Sequence, residues 1–455
     1  MKFYLLYFLL ILAFVFSSKV KLIEEETVTK TRQGKIKEDE FDIYIKSHNK
    51  NYGPEEYKAR KQIYRENLER IKKHNEDSSQ TWGAGENQFT DWSDGEFKAY
   101  LTKFPLPEFK NDPIDRSKLQ PLTSLPDTYD LRNNITAVKN QGSCGACWAF
   151  SATAVAEGVF NLNDGILMDL SQQQVISCTT TCAGCDGGVT SYALDYIQVN
   201  GSCGDYLWGY EGQNGVCSGT SFDNCQANSF VKVKNQSTVF LYTDSDPVGL
   251  LQQILVSYGP VGIAIDADSL SYYEDGVATS MSCSNNPSNA NHAPSLVGYG
   301  TDGTTPFWRV KNSWGTGWGE NGFFRFERGI NLCGIENYAY FATGSTNDGL
   351  TKFNDTVTGL KVSPSSNQFT LNWDSYPGAQ KYFVKAIIDG ELYLWETSKT
   401  SPTVDTASSY TNATCWVAPI LDSQYGALSE NITFNSAHSL VLSFLAFLLI
   451  LLNVF

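Results

Sequence analysis

Ten of the eleven cysteines in this 455-residue chain lie between Cys144 and Cys333. Cysteines concentrated in one segment indicate a domain cross-linked by disulfides, which persist in oxidising compartments rather than in the cytosol. The flanking segments differ in character. Residues 20–110 are charged and rich in helix-forming residues, and residues 346–435 contain one cysteine among short alternating runs. The sequence therefore predicts three successive parts, with the cross-linked domain in the middle.

Composition excludes several broad classes of protein. Hydrophobic residues make up 42% of the chain and aromatic residues 13%, which is enough for packed cores and too much for global disorder. The net charge is −15, whereas a nucleic-acid-binding protein needs a basic face. Apart from the two ends, the chain has no run of ~18 apolar residues, so a protein with several membrane spans is excluded.

Both ends of the chain are apolar. Lys2 and the apolar run at residues 3–16 predict a cleaved secretory signal peptide at residues 1–18, with an uncleaved anchor as the alternative. The last apolar segment, residues 440–455, is short for a membrane span and follows small residues, which favours a signal for a glycosylphosphatidylinositol (GPI) anchor. A retained membrane anchor and a tail lost by proteolysis remain open. Sequons predict N-glycosylation at Asn134, Asn235, Asn354, Asn412 and Asn431.

The first part contains six residues at helical spacing. Their separations of four, four, three, four and four residues place them on one face of a helix, although an ordinary amphipathic helix has the same spacing. The six residues are Glu56, Arg60, Tyr64, Asn67, Ile71 and Asn75. A second motif follows, in which every other position is specified by Gly85, Asn87, Phe89 and Asp91.

Cys147 is a candidate nucleophile. In the run that leads to it from Gln141, Gly142 and Gly145 predict a turn, and helix-forming residues follow from about residue 147 to residue 160. A cysteine at a helix N-terminus faces exposed N–H groups and the positive end of the helix dipole, which favours the reactive thiolate. Considered alone, such a cysteine is more often one half of a disulfide.

The scarcity of histidine narrows the choice of a base. Two of the four histidines fall in the first part and one in the tail, so the central part contains only His292. A cysteine nucleophile needs a base beside it. Asn312 could accept a hydrogen bond from the imidazole and fix its tautomer, and Trp314 could shield that contact from water. The alternatives are a structural histidine and an asparagine that only forms a turn.

These blocks, in this order, resemble the papain family of cysteine proteases, and in particular a cathepsin L-like proenzyme. The helical face matches the interspersed ERFNIN pattern of the family's inhibitory prodomains, with Tyr64 in place of Phe. The motif that begins at Gly85 matches the family's G-x-N-x-F-x-D motif at every specified position. The resemblance implies an α+β fold whose catalytic domain has two lobes, one helical and one like a β-barrel.

The resemblance also implies roles for individual residues. Cys147 would be the nucleophile, His292 its acid–base partner and Asn312 the residue that orients His292. Gln141 would stabilise the oxyanion together with the backbone N–H of Cys147. The implied boundaries are a signal peptide at 1–18, a prodomain at 19–123, a catalytic domain at 124–345, a third domain at 346–435 and a tail at 436–455.

The cysteines follow the family in part. The resemblance implies the disulfides Cys144–Cys185, Cys178–Cys217 and Cys283–Cys333. The remaining cysteines besides the nucleophile are Cys182, Cys203, Cys225 and Cys415, and we expect a further bridge between Cys182 and Cys203. Pro294 departs from the family, which usually has a branched aliphatic residue two positions after the histidine. Because proline lacks an N–H, strand pairing at this point is in doubt.

Alignment with the family predicts the residues that contact substrate. They are Gly187, Gly188, Val189, Thr190, Ala264, Ala290, Ala293, Trp314 and Tyr338. None is charged, so we expect an apolar side chain at P2 and rejection of Arg or Lys, since burying an unpaired cation is costly. We expect an endopeptidase rather than a carboxydipeptidase, because no second histidine can hold a substrate carboxylate. A single histidine also makes a zinc site improbable, and no metal or cofactor is expected.

Control by the prodomain is expected to depend on pH. Residues 55–77 mix acidic and basic side chains, and acids that pair with bases lose their stabilising effect as the pH falls. We therefore predict release of the prodomain in an acidic compartment, with cleavage before Leu125. The expected product is a monomeric enzyme in a lysosome or vacuole or outside the cell, with possible attachment to a membrane through its tail.

The third part predicts a β-sandwich. Its alternating runs, with Trp373 in one strand and Tyr382 in a later one, resemble a fibronectin type III domain, and an irregular stalk is the alternative. This part supports a rival function, a surface adhesion protein with an inactive protease domain. The presence of all four active-site residues favours the protease.

Overall fold

A computed structural model describes residues 39–101, 119, 124–228, 231–347, 355–365, 368–406 and 410–436. The predicted signal peptide, the sequon at Asn354 and the apolar tail at residues 440–455 lie outside the described residues. The chain divides into two compact units, with the boundary between Lys61 and Gln62. Among the described residues, no helix combines the length and apolar character that crossing a bilayer requires.

The first unit contains a short helix and the start of a long one. Helix α1 (Glu40–Ser47) begins after Asp39, whose side chain accepts a hydrogen bond from the Phe41 N–H. Helix α2 (Pro54–Glu76) begins in this unit and continues into the second. Within the first unit, Lys61 forms an ion pair of 2.7 Å with Asp39, which ties the two helices together.

In the second unit, α2 presents the face that its spacing predicts. Tyr64, Asn67 and Ile71 are buried. The Asn67 amide donates to the carbonyl oxygens of Thr90 and Trp92, both at 2.9 Å. Strand β1 (Trp82–Ala84) follows α2, and helix α3 (Asp94–Tyr100) begins with a capping box. The asparagines of the helical face thus hold the loop that carries the second prodomain motif.

A helical lobe surrounds the long helix that begins at Cys147. Helix α4 (Cys147–Asp164) is buried on every side from its first residue to Phe160, as expected for the central helix of a lobe. The other helices of this domain are α5 (Gln172–Cys178), α6 (Thr190–Asn200), α7 (Thr220–Ala227) and α8 (Pro247–Tyr258). A Cβ atom added to Gly158 of α4 would lie 2.3 Å from the Pro260 ring, so this helix can pack only with glycine there.

A mixed sheet forms the second lobe. Its further strands are β2 (Tyr129–Asp130), β3 (Val231–Phe240), β4 (Val261–Gly262), β5 (Tyr273–Ala278), β6 (Ser295–Asp302), β7 (Thr305–Lys311), β8 (Phe323–Glu327) and β9 (Tyr338–Asn347). Over the described residues the order is β1-β5-β8-β7-β6-β4-β9-β3, with β2 paired to β6. The prodomain strand β1 therefore forms one edge of the catalytic sheet. The helices and the sheet confirm the α+β fold.

The third part folds into two antiparallel sheets. The strands are β10 (Lys361–Pro364), β11 (Gln368–Asn372), β12 (Lys381–Ile388), β13 (Glu391–Thr397), β14 (Thr403–Asp405), β15 (Asn412–Leu421), β16 (Gln424–Tyr425) and β17 (Ile432–Asn435). One sheet has the order β10-β11-β14, and the other has the order β13-β12-β15-β16 with β17 paired to β15. Phe369, Trp373, Val384 and Val417 belong to the apolar core of this part. The likeness to a fibronectin type III domain stays a prediction.

This sandwich packs against the catalytic domain. Phe383, Leu394 and Ile420 of the sandwich share an apolar cluster with Ala137 of the catalytic domain. Hydrogen bonds extend the contact: the Tyr425 N–H donates to the Leu167 carbonyl at 3.0 Å, and the Asp169 N–H donates to the Ser423 carbonyl at 2.9 Å. The third part is therefore a docked domain.

The structure contains four disulfides over its described residues. Three are those that the resemblance implies: Cys144–Cys185, Cys178–Cys217 and Cys283–Cys333. The expected bridge between Cys182 and Cys203 is wrong, because Cys203 pairs with Cys225 and Cys182 keeps a free thiol. Cys203 and Cys225 are both fully buried beside Trp208, where the second half of α7 contacts the loop that follows α6.

Candidate active site

Cys147 is the first residue of α4, and its side chain is 1% exposed. The preceding residue, Ala146, provides no side-chain cap for the helix. Backbone N–H groups at this terminus are thus not occupied by a capping side chain, and they favour negative charge on a nearby sulfur. Ser151, one turn later on the same face, faces the sheet lobe, since its hydroxyl donates to the Pro294 carbonyl at 3.0 Å.

His292 lies on the segment of the sheet lobe that meets this face of α4. It exchanges two backbone hydrogen bonds with Ile265, at 2.9 and 3.1 Å. The doubt about Pro294 is resolved by its carbonyl, which accepts from the Ile263 N–H at 3.0 Å as well as from Ser151. Strand β6 begins only at Ser295, so the missing proline N–H leaves no ladder position empty.

Asn312 holds the imidazole of His292 from behind. Its Oδ1 lies 2.7 Å from His292 Nε2 and also accepts from the Ser313 N–H at 2.8 Å. Because an amide oxygen can only accept, this contact assigns the proton to Nε2 and leaves Nδ1 as the basic nitrogen. Trp314, which is 1% exposed, stacks on the imidazole with 4.7 Å between ring centres. The indole therefore shields the Asn312–His292 hydrogen bond from water.

Gln141 is fixed at both ends. Its backbone N–H donates to the Ser313 carbonyl at 2.8 Å, and its Oε1 accepts from the Ser313 hydroxyl at 2.6 Å. Its Nε2 donates to the Cys144 carbonyl at 2.9 Å. A primary amide carries two N–H hydrogens, so one of them remains for a substrate oxyanion near the start of α4.

Burial controls the protonation of His292. The imidazole is 1% exposed, and burial lowers its pKa to about 4, although the hydrogen bond to Asn312 opposes that shift. His292 is therefore neutral in this closed state at any pH well above 4. The thiolate–imidazolium ion pair of an active thiol protease is therefore not favoured while the imidazole is buried.

The segment of the prodomain that follows α2 covers His292 and the loop beside it. The Asn87 amide donates to the Ser271 carbonyl at 2.8 Å, and the Gln88 amide donates to the Trp314 carbonyl at 2.7 Å. The Phe89 ring contacts the Trp314 ring edge-on at 5.3 Å. The second prodomain motif thus binds directly to the loop that carries Asn312 and Trp314.

Comparisons with known proteins match two successive parts of the chain. A family model described as papain family cysteine protease matches residues 125–343, and one described as cathepsin propeptide inhibitor domain (I29) matches residues 41–97. Pro-cathepsin H of Bos taurus is 36% identical over 309 residues, which cover 66% of this chain and 88% of that protein. Cysteine proteinase 3 of Solanum lycopersicum is 35% identical over 65% of this chain and 81% of its own length. This chain belongs to the papain family of cysteine proteases.

A solved structure supports the same assignment for the proform. Digestive procathepsin L 3 of the Tenebrio molitor larval midgut aligns with a TM-score of 0.57 and 34% sequence identity, over 66% of this chain and 96% of that one. The propeptide match ends at residue 97 and the protease match at residue 343, so the docked sandwich lies outside both of them. This papain-family proenzyme therefore carries an additional C-terminal domain.

The aligned substrate-contact residues form a buried, uncharged group. Ala264, Ala290 and Tyr338 belong to one apolar cluster with Trp148. Val189, Thr190 and Ala293 are at most 1% exposed. Gly188 lies against the Trp148 ring, and a Cβ atom added there would come within 2.6 Å of it. Gly187 precedes it with a φ of 118°, a backbone angle that favours glycine.

Sequence reasoning missed one prodomain residue at the nucleophile. Burial raises the pKa of Tyr100, at the end of α3, well above its usual value, and the neighbouring Cys147 and Tyr210 add to the shift. Its ring also lies 6.1 Å from that of Trp314. The sequence did contain one indication of this position. Tyr100 follows Phe97 by one helical turn and so shares the face of α3 that contacts the Trp314 loop.

Sequence analysis also missed Lys311, which lies behind the candidate site. Lys311 precedes Asn312, is 6% exposed and donates to the carbonyl and hydroxyl of Thr136 at 2.8 and 3.0 Å. Burial lowers its pKa to about 8. Glu157 of α4 accepts from the same Thr136 hydroxyl at 2.6 Å. Thr136 therefore links the two lobes next to Asn312, and no motif in the sequence indicated that link.

Among the described residues, no group of three or more His, Cys, Asp or Glu side chains is placed to hold a metal ion.

Proposed function

We propose that the mature protein hydrolyses internal peptide bonds through a thioester on Cys147. The observation that carries this proposal is the 2.7 Å contact between His292 Nε2 and Asn312 Oδ1 under Trp314. It leaves Nδ1 as the imidazole nitrogen that can exchange a proton with the thiol.

The reaction has two halves. In the first, Cys147 gives its thiol proton to His292 Nδ1 and its sulfur attacks the scissile carbonyl carbon, and the resulting oxyanion accepts hydrogen bonds from Gln141 Nε2 and the Cys147 N–H. His292 gives its proton to the leaving nitrogen, the C–N bond breaks, and an amine departs. In the second half, His292 takes a proton from water and the hydroxide attacks the thioester carbon. The C–S bond then breaks, which frees Cys147 as the thiolate and releases a carboxylic acid.

The substrate is proposed to carry an apolar residue at P2. The residues aligned with this subsite are uncharged, and Ala264, Ala290 and Tyr338 are packed in an apolar cluster. No carboxylate among them could compensate a buried cation, so Arg or Lys at P2 would lose its hydration without a partner.

A panel of fluorogenic dipeptides tests both proposals. We expect kcat/KM of the acid-processed enzyme to be at least tenfold higher for substrates with Leu at P2 than for substrates with Arg at P2. The reason is that leaving a charge unpaired costs more than about 1.4 kcal/mol, which is a factor of ~10. The Cys147→Ala variant should show no hydrolysis above background. Faster cleavage with Arg at P2 would overturn the specificity, and full activity in Cys147→Ala would overturn the mechanism.

We infer that acid opens the proenzyme through His292. The protein is made as a proenzyme with its inhibitory domain in place, and removal of that cover restores solvent to the imidazole. The prodomain helix has exposed ion pairs, such as Lys58 with Glu55 and Arg70 with Asp94, and exposed pairs contribute little. The buried imidazole is the stronger candidate for the acid-sensitive group.

The location of the mature enzyme is proposed from the sequence and the disulfides. Four disulfides fit a secretory route, and we propose a lysosome, a vacuole or the cell exterior as the destination. Asn235, Asn412 and Asn431 are exposed and are proposed to carry glycan. A monomer attached through a GPI anchor remains our proposal, and phosphatidylinositol-specific phospholipase C on intact cells would release the enzyme if it is right.

A further inference from the structure

A cavity of about 330 Å³ lies between the catalytic domain and the docked sandwich. The catalytic domain contributes Asn140, Asp205 and Tyr210 to its wall, and the sandwich contributes Lys381, Trp395 and Glu396. None of the residues aligned with the P2 subsite lines it. We call this cavity the interdomain pocket.

The interdomain pocket adjoins the leaving-group side of the active site. Asn140 directly precedes Gln141 and forms a backbone bridge with Trp314. The Tyr210 hydroxyl donates to the Gln141 carbonyl at 2.5 Å. His292 must protonate the leaving nitrogen, and Trp314 stacks on His292. A substrate chain that passes Trp314 beyond the scissile bond would reach the rim formed by Asn140.

Over the described residues, the charges in the pocket leave the Asp205 carboxylate without an ion pair, although Lys139 and Lys381 lie near enough to lower its pKa in part. Lys139 pairs with Asp169 in the wall and with Glu157 behind it. Lys381 pairs with Glu396 at 3.2 Å. Asp205 has no ion pair within 4.0 Å among the described residues. Burial, followed by the nearby Asp169 carboxylate, raises the pKa of Asp205 to about 6. A positively charged guest would relieve both causes of that shift.

Other groups in the wall suit the same kind of guest. Trp395 and Tyr210 are half-buried aromatic residues, and aromatic faces attract cations. Gln172, which is 1% exposed, also lines the cavity, and its Oε1 accepts no hydrogen bond from any described residue. A buried acceptor without a donor is costly, and an ammonium or guanidinium group supplies donors only.

We propose that the interdomain pocket binds a Lys or Arg side chain of the substrate, at one of the three positions after the scissile bond. The appended sandwich thereby takes part in substrate selection, through Trp395 and through the balance between Lys381 and Glu396. This inference rests on the proposed function, since it assumes that the mature enzyme cleaves peptides at Cys147.

Internally quenched peptides with Leu at P2 provide the test. Lys, Arg, Met and Glu are placed in turn at P1′, P2′ and P3′, and the ratio of kcat/KM for Lys over Met is measured at each position. We expect a ratio of about ten at one position in the wild-type enzyme, since a charge-assisted hydrogen bond is worth roughly a factor of ten. Cleavage of the Met peptides reports the proposed function, and the ratio reports the pocket.

Variants on both walls assign the effect. Asp205→Asn and Trp395→Ala should lower the Lys-to-Met ratio toward one, whereas Lys381→Met should raise it because Glu396 loses its partner. Asp223→Asn is the matched control, since this exposed acid of α7 lies outside the pocket, and it should keep the wild-type ratio. Equal cleavage of the Lys and Met peptides at all three positions would overturn the inference. So would a preference that survives both Asp205→Asn and Trp395→Ala.

Discussion

At the scale of residues, the proposed role of Gln141 as an oxyanion donor leads to the clearest prediction. We expect Gln141→Ala to lower kcat by about 10²–10³ with a smaller change in KM, because the donor acts on charge that develops in the transition state. Ser313→Ala should lose less, since Gln141 Nε2 keeps its hydrogen bond to the Cys144 carbonyl. Steady-state kinetics on a Leu-P2 substrate would measure both. A rise in KM of the same size with an unchanged kcat would contradict the proposed role.

The protonation of His292 gives a prediction about pH. Its pKa is lowered to about 4 in the closed proenzyme, against an ordinary value of 6.5. The open or unfolded protein therefore binds the proton more readily between these values, and the stability of the closed form falls as the pH drops from 6.5 to 4. The difference amounts to at most ~3 kcal/mol at the acid end.

Thermal unfolding of an inactive proenzyme can check this sign. In a Cys147→Ala background, which prevents self-cleavage, Tm should fall between pH 6.5 and pH 4. The additional change His292→Gln should flatten that slope, and His74→Gln should leave it as it is. If both histidine variants keep the full slope, His292 is not the acid-sensitive group.

At the scale of elements, the packing of α4 makes a sharp prediction. We expect Gly158→Ala to destabilise the protein by about 1–3 kcal/mol, because the new methyl group meets the rigid Pro260 ring. Gly95→Ala in α3 is the matched control, since a Cβ atom there has only the Ser93 hydroxyl at 4.0 Å. Chemical denaturation should show the loss for the first variant and no loss for the second. Equal stability of the two would contradict the packing.

Sequence patterns predicted elements best where spacing alone places side chains together. The helical face of α2 was legible because residues four or three apart share a face, and Asn67 and Asn75 use that face to hold the following loop. The disulfide partner of Cys203 could not be predicted from the sequence. Cys225 lies in α7 and Cys203 in the loop after α6, and contact between elements so joined leaves no periodic trace in the sequence.

At the scale of the whole molecule, the sequence predicted three parts but not their association. A signal was nevertheless present in the sandwich. Tyr382, Phe383 and Val384 are consecutive buried residues in β12, whereas a strand with one solvated face alternates. Phe383 is the residue that turns outward to the catalytic domain, while Val384 belongs to the sandwich core. Reading such runs as two-sided burial would have indicated a docked domain.

The cluster of His292, Asn312 and Trp314 could be predicted from the sequence because only one histidine was available and the motifs around it are specific. The cover over them was only partly legible. The second prodomain motif was recognised, but its contact with the Trp314 loop through Gln88 follows from the fold. Tyr100 near Cys147 likewise depends on how α3 is placed.

The central claim is that Cys147 becomes a reactive nucleophile when the prodomain leaves. An epoxide inhibitor of thiol proteases, followed by peptide mass spectrometry, tests it most directly. The chain supplies its own controls, since burial raises the pKa of Cys182 and that of Cys415, the latter to about 12. We predict an adduct on Cys147 in the acid-processed enzyme, and none on Cys182, on Cys415 or on the proenzyme kept at neutral pH. Equal labelling of Cys147 in the neutral proenzyme, or no labelling of it after processing, would contradict the account.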